Sequence, residues 1–457
     1  MATRTPITAI RHAIELERRL WLLRPSLIMA VVWALTIAIW LGLPTRTFRE
    51  LTNSERYVSP RSILFIAFCL ALFGAGSLLA RSTPSHLART STEELWWATN
   101  PPLRLCFRFA AAALVLGGSA VLFTSYRSAS AAGGAPALFE QFRSGHVSWA
   151  HITSTTVEPA SVQGISTWVH ALTAVAPLCA FGVCLSTGQT RRRFWIVAAL
   201  GFALAFTQAV IHSERITAFQ YPILFTLTYF LTAALAGRSR HDLSRLLRYL
   251  LVLAALMAAL WTLTEVYRQF VNAHPGDPLR STAAVSFAGD RFLAYVASNA
   301  NNLSYLVTHE TRPSYAFFLG RGIVTTLGLD DASTPVVGTA LPETSRVLWE
   351  IYHGKPLTTF TAIGDVYRDL LWASAGVFLL LGFVVTQIWL AVSRGSLSAL
   401  LIYPLCVISL LLSFQVFHWT ETPFLIPVVI LVLFSSRASH GRRYALFAPR
   451  PIGSPVQ

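Results

Sequence analysis

Ten predominantly apolar runs, several long enough to cross a bilayer as an α-helix once flanking semi-polar residues are counted, restrict this chain to a polytopic membrane fold. Roughly 20 predominantly apolar residues span the hydrocarbon as a helix. The runs fall at Leu27–Leu43, Ile63–Ala80, Leu105–Phe123, Trp168–Leu185, Trp195–Ile211, Thr217–Ala236, Leu246–Leu263, Leu370–Val392, Leu397–Phe414 and Pro423–Ser435. Their apolarity is continuous rather than alternating, which excludes a β-barrel, so the expected fold class is all-α. The final two runs are short and joined by the sequence FHWTETP, which suits a tilted or partly re-entrant hairpin.

Composition removes the soluble alternative. The chain is 54% hydrophobic and 12% charged, with a mean hydropathy of +0.54, leaving too little polar surface to cover a soluble core. Arginine in short loops then sets the orientation, because cytoplasmic loops retain excess positive charge. With the N-terminus inside, the inner segments hold Arg11, Arg18, Arg19 and Arg24, then Arg81 and Arg89, then Arg191 to Arg193, then Arg238, Arg240, Arg245 and Arg248. Arg394 follows, and then Arg437, Arg442 and Arg443. Both termini are therefore expected to be cytoplasmic. Pro44–Arg61, Thr124–Thr167, His212–Ile216, Phe270–Asp369 and Gln415–Thr422 face outward. The expected organisation is an N-terminal bundle over 1–265, a large outer segment over 266–369, C-terminal helices over 370–436 and a basic tail over 437–457.

A net charge of +15 raises the question of nucleic acid, but the excess sits beside span ends, where arginine sets topology and meets anionic lipid headgroups. No nucleic-acid partner is expected. Lys355 is the only lysine. The cysteines Cys69, Cys106, Cys179, Cys184 and Cys406 all fall inside apolar runs, where they act as small apolar residues and leave the outer loops without a disulfide. Ile7–Leu23 interleaves Arg and Glu with Ile, Leu and Trp, as a helix lying along the inner membrane face does, and it lacks the small-residue cleavage site of a signal peptide. No internal repeat is visible, and Ser128–Pro136 reads as a flexible stretch of outer loop.

Two helices are expected inside the large polar segment. Phe292, Tyr295, Val296, Asn299, Leu303 and Leu306 recur at helical spacing, with Asn301 and Asn302 beside them. Pro342–Tyr352 supplies the second, with Glu343 at its start and Val347, Leu348 and Ile351 on one side. Gly320, Gly322, Gly328, Pro335 and Gly338 break the chain into turns between them. Resting on the membrane surface is the ordinary role of such amphipathic helices.

The stretch LTTFTAIGDVYRDLLWASAGV, Leu357 to Val377, leads directly into an apolar run. It resembles the signature of bacterial O-antigen (Wzy-type) polymerases, in which a Thr-Phe-Thr stretch, a Gly, an aromatic and an Asp precede a span. Here those positions are Thr359, Phe360, Thr361, Gly364, Tyr367 and Asp369. GDRFLAYVASNANNLSYL is similar to the helix that opens the family's large outer loop, and SERITAF places Arg215 just outside a span. After Asp369 the sequence LLWASAG departs from the family's Gly-rich approach to the span.

The resemblance implies transfer of a glycan from one polyprenyl pyrophosphate to the sugar end of a second lipid-linked repeat unit. It also allows a chain-length regulator as a protein partner, alongside membrane lipid. The leaving diphosphate needs positive charge, and the planar fork of arginine binds phosphate oxygens in pairs. Arg215, Arg291, Arg312, Arg321, Arg346 and Arg368 all lie on the outer side of this topology, against the positive-inside bias. Pairing with Glu214, Asp290, Glu310 or Asp369, or snorkelling to headgroups, would explain them equally simply. Arg215 and Arg291 stand out, one in a very short loop and the other among aromatics beside Asn299 and Asn302.

A base must take the proton of the attacking hydroxyl, and His309, Glu310 and Asp365 are the candidates. Tyr295, Tyr305, Tyr315, Tyr352, Tyr367 and Trp349 offer faces for sugar rings, as they would for a membrane-interface belt. No HExxH or CxxC motif occurs, the histidines lack ligand spacing, and no metal or other cofactor is expected. A flippase would carry inverted repeats and charges near the bilayer midplane, and neither is apparent. A ligase of the related type shares the large outer loop, and the Thr-Phe-Thr stretch separates the two.

Overall fold

Proline and hydroxyl side chains mark where the helices of this chain begin. Pro25 occupies the first turn of α1 (Pro25–Gly42), where its missing N–H costs nothing. Ser59 caps α3 (Pro60–Ser82), its hydroxyl accepting a 3.1 Å bond from the Ser62 amide. Between them lies the short amphipathic α2 (Thr45–Thr52), whose Phe48 is buried. The computed structural model describes residues 17–18, 20–83, 96–131, 133–134, 136–137, 167–212, 215–237, 248–249, 251–252, 254–256, 258–259, 261–263, 281–309 and 359–447. Every regular element among them is helical. The order continues with α4 (Trp96–Thr99), α5 (Leu103–Ala131), α6 (Ala171–Leu185), α7 (Gly188–His212), α8 (Arg215–Leu235) and α9 (Ser281–Thr308). It closes with α10 (Ala362–Leu370), α11 (Ser374–Ser393), α12 (Leu397–Leu411) and α13 (Thr422–Phe447).

Seven helical segments among the described residues are long and apolar enough to cross a membrane: Pro25–Gly42, Pro60–Ser82, Leu103–Arg127, Trp168–Leu185, Ala362–Ser393, Leu397–Phe414 and Thr422–His440. Each coincides with one of the ten expected runs. At the other three positions lie α7, α8 and the shorter apolar stretch Ala254–Leu263. The last helix extends beyond the expected run Pro423–Ser435: α13 is 26 residues long and includes Arg437.

α6 is apolar on all sides and every one of its residues is buried, as expected for a central post. Helices α5, α7, α8 and α13 surround it. The outward faces remain apolar, with Leu35, Leu64, Leu78, Val115, Leu122 and Leu200 each more than half exposed. That exterior suits a hydrocarbon solvent and no aqueous one.

The closest crossing is between α3 and α11. A Cβ on Gly76 would lie 2.0 Å from the Leu379 carbonyl oxygen, and one on Gly382 would lie 2.1 Å from that of Phe73. Two backbones thus touch where neither carries a side chain, the way small residues bring membrane helices together. Gln387 Nε2 donates to the Ala80 carbonyl at 2.8 Å along the same seam.

Helix α9 forms where helical spacing placed it, carrying the Asn face. It packs against α1, α2, α3 and α10, and Asn299, Asn301, Asn302 and Ser304 are fully buried. Turning polar side chains inward requires partners for them, and those partners build the site.

Candidate functional site

The connection from α12 to α13 is held from five helices, and nearly every hold is a polar side chain. Trp33 of α1 donates its indole N–H to Ser413 Oγ at 3.1 Å. Gln415 donates to the Tyr295 hydroxyl of α9 at 2.8 Å. The Phe417 amide donates to Asp365 Oδ2 of α10 at 2.9 Å, and its ring meets Phe378 of α11. His418 and Gln220 of α8 lie with their Nε2 atoms 2.8 Å apart. Because the start of α8, the start of α10 and this connection meet, they share one end of the bundle.

The Thr-Phe-Thr stretch becomes the N-terminus of α10. Thr361 is its N-cap, accepting 3.0 Å from the Gly364 amide. α9 fixes the preceding residue from two sides, since Thr359 Oγ1 donates to Asn299 Oδ1 at 2.6 Å and Asn302 Nδ2 donates to the Thr359 carbonyl at 2.8 Å. Asn299 and Asn302, expected as substrate ligands, thus both bond Thr359, one at its hydroxyl and the other at its carbonyl. On α10 itself, Arg368 lies with its guanidinium 4.3 Å from the centre of the Phe360 ring and 3.9 Å from Asp365 Oδ1. Arg368, Asp369 and Glu421 are the charged groups that act on Asp365. Tyr367 points the other way, buried edge-on against Phe65 of α3 at 5.0 Å.

α10 ends at Leu371, whose φ of +50° and ψ of −131° turn the chain into α11. A leucine here holds a strained backbone that glycine adopts freely.

The remaining candidates are dispersed. His309 is exposed at the end of α9, stacked on Tyr305 at 4.0 Å, with Tyr57 edge-on to both. Burial first, then Tyr305 and Glu55, push the Tyr57 hydroxyl up from its ordinary range. Asn301 ties the same corner, accepting from the Tyr57 amide at 2.6 Å and donating to the Glu55 carbonyl at 3.2 Å. Arg291 is half-buried on α9. Arg215 is the first residue of α8, with its side chain outside the described part of the structure. Glu310, Arg312, Arg321 and Arg346, with the helix expected at Pro342–Tyr352, lie outside the described residues.

Three residues absent from the sequence-based set join the site: His418, Gln220 and His170. His418 is 3% exposed. Burial, reinforced by His170, lowers its pKa to about 3, so the imidazole is neutral at physiological pH. The only signal for it was a histidine in the short FHWTETP connector. Gln220 and His170 sit at the margins of apolar runs and gave none. Among the described residues no three His, Cys, Asp or Glu side chains converge as metal ligands. Searches of protein-family models, of curated proteins and of solved structures find no match to this chain.

Proposed function

We propose that this chain is a membrane glycosyltransferase that polymerises polyprenyl-pyrophosphate-linked oligosaccharide repeat units at the extracytoplasmic face. The observation that carries the reading is the Asp365–Arg368 pair. It lies in the helix formed by the polymerase-like motif, at the end of the bundle that the arginine pattern assigns to the outside.

In this reading the acceptor hydroxyl oxygen forms a bond to the anomeric carbon while the bond from that carbon to the phosphate oxygen breaks. The diphosphate leaves with the electron pair, and the hydroxyl proton passes to the Asp365 carboxylate. Arg368 offsets the charge that develops on the leaving group, and the Phe417 amide holds Asp365 in place through Oδ2. Arg215 opens α8, the helix that also carries Gln220, and is the second arginine of this reading.

The test is a deletion strain complemented with wild type, Arg215→Ala, Arg291→Ala or Arg368→Ala, with the surface glycan resolved by length. Single repeat units in the deletion and in the Arg215, Arg291 and Arg368 variants, at normal protein levels, are the expected result. Normal chain lengths in those variants remove the site. Loss of all glycan attachment in the deletion points to a ligase, and intermediates trapped inside point to a flippase.

A further inference from the structure

At the end of the bundle away from Asp365, positive charge gathers on two neighbouring helices. α7 runs into the end where α8 begins, so its own start at Gly188 lies at the other end, as do the close of α6 and the start of α5. A ring contact fixes the level. Phe107 of α5 meets Phe194 of α7 edge-on at 5.6 Å, and Phe194 lies against Gly182 of α6, where a Cβ would stand 2.4 Å from the ring. Arg104 precedes Phe107 by three residues and Arg191 precedes Phe194 by three, so each stands one helical turn from the same contact, toward the bundle end. Arg108 and Arg193 are the sequence neighbours of the two rings, and Arg192 completes the run. All five arginines are exposed, and among the described residues none of them forms an ion pair. Beside them Trp195, 48% exposed, offers the amphipathic ring that settles between hydrocarbon and headgroups.

Five like charges around one helix pair repel, and an anion that bridges them relieves the repulsion. We infer that the α5–α7 seam binds an anionic phospholipid whose headgroup carries two phosphates, in the leaflet that the arginine pattern assigns to the inside. The charges sit on both sides of the seam, and packed helix axes stand about 8–10 Å apart. Arginines of the two helices therefore reach a pair of phosphates joined by a short spacer, each phosphate taken by a planar fork of donors. A single phosphate engages one side and leaves the other uncompensated. The acyl chains of the same lipid lie along the apolar outer faces of α5 and α7, where Val115 and Leu200 are each more than half exposed. Basic sites between membrane helices on the cytoplasmic side hold headgroups of this kind. The site lies at the opposite end from Asp365 and does not depend on the proposed function.

Purified full-length protein is reconstituted in phosphatidylcholine nanodiscs, alone or with diphosphatidylglycerol or phosphatidylglycerol at matched total charge, and its melting temperature is measured. Wild type is expected to melt higher with diphosphatidylglycerol than with phosphatidylglycerol. Arg104→Gln combined with Arg191→Gln should melt like wild type in phosphatidylcholine alone, since both side chains are exposed, and should need at least about tenfold more diphosphatidylglycerol for the same shift. Arg104→Lys combined with Arg191→Lys keeps the charge without the forks; it should fall between, and it carries the test should the glutamine pair unfold. Arg248→Gln combined with Arg437→Gln removes the same charge from other inner segments and should respond as wild type does. The inference is overturned if phosphatidylglycerol stabilises wild type as strongly at equal charge, or if inorganic pyrophosphate alone gives the shift. It is overturned too if the Arg104 and Arg191 substitutions leave the response intact, or if those at Arg248 and Arg437 remove as much, which assigns the effect to diffuse surface attraction. No readout involves glycan transfer, so the deletion-strain result and this one stand or fall separately.

Discussion

Replacing Gly382 with alanine should part the two helices that hold the bundle together. The added Cβ would sit 2.1 Å from the Phe73 carbonyl oxygen, and its counterpart on Gly76 would sit 2.0 Å from that of Leu379. To reach an ordinary 3.4 Å contact the backbones must separate by about 1.3 Å in the first case and about 1.4 Å in the second. No side chain can rotate away, because the obstacle in each case is backbone. Overpacking of this kind costs about 1–3 kcal/mol, and the separation also stretches the 2.8 Å bond from Gln387 to the Ala80 carbonyl. Alanine's better helix propensity returns at most about 1 kcal/mol. A net loss of about 2 kcal/mol is expected for either variant, read as a lower melting temperature in detergent or nanodiscs. The double variant should lose clearly less than the sum, since the first substitution already opens the crossing. Gly74 and Gly376 lie on the same two helices with open space around them, so Gly74→Ala and Gly376→Ala are the controls and should not destabilise. A Gly382→Ala protein that melts like wild type, or a strictly additive double variant, would refute the close-crossing argument.

Three further outcomes follow from the geometry. Arg56 donates to the carbonyls of Trp40 and Leu43 at the end of α1, so Arg56→Ala should cost about 2 kcal/mol in thermal unfolding. Arg56→Lys should recover less than half, because one ammonium cannot span both acceptors. His418 stays neutral down to about pH 3, whereas an unfolded histidine takes its proton near pH 6.5. Its contribution is therefore intact above pH 6.5 and is lost at about 1.4 kcal/mol per pH unit as the pH falls toward 3. His418→Gln should flatten that acid slope, and an unchanged slope assigns it to other groups. Arg368→Lys should insert normally and yet fail to restore long-chain glycan in the deletion strain, since lysine lacks the flat cation that faces Phe360 and its fork of donors.

Periodicity and length made the spans legible in the sequence, because lipid solvent imposes a simple rule on each helix by itself. The same logic found α9 but could not say what its polar face meets, because the partners of Tyr295, Asn299 and Asn302 are distant in the chain. Thr359 and Gln415 supply those partners from 57 and 120 residues away. Likewise Asp365 was visible as an acid, but the Phe417 amide that holds it is a backbone group without any side-chain signature. The positive φ of Leu371 had no sequence signal, since a leucine does not announce a left-handed backbone.

The tie between Trp33 and Ser413 joins residues 380 positions apart, and the Tyr403 hydroxyl reaches back over the same interval to the Leu23 carbonyl. At the pace of translation, roughly 5–20 residues per second, α1 waits roughly 20–75 s in the bilayer before its last neighbour is synthesised. This tie of α1 is thus closed only once the connection from α12 to α13 has been made.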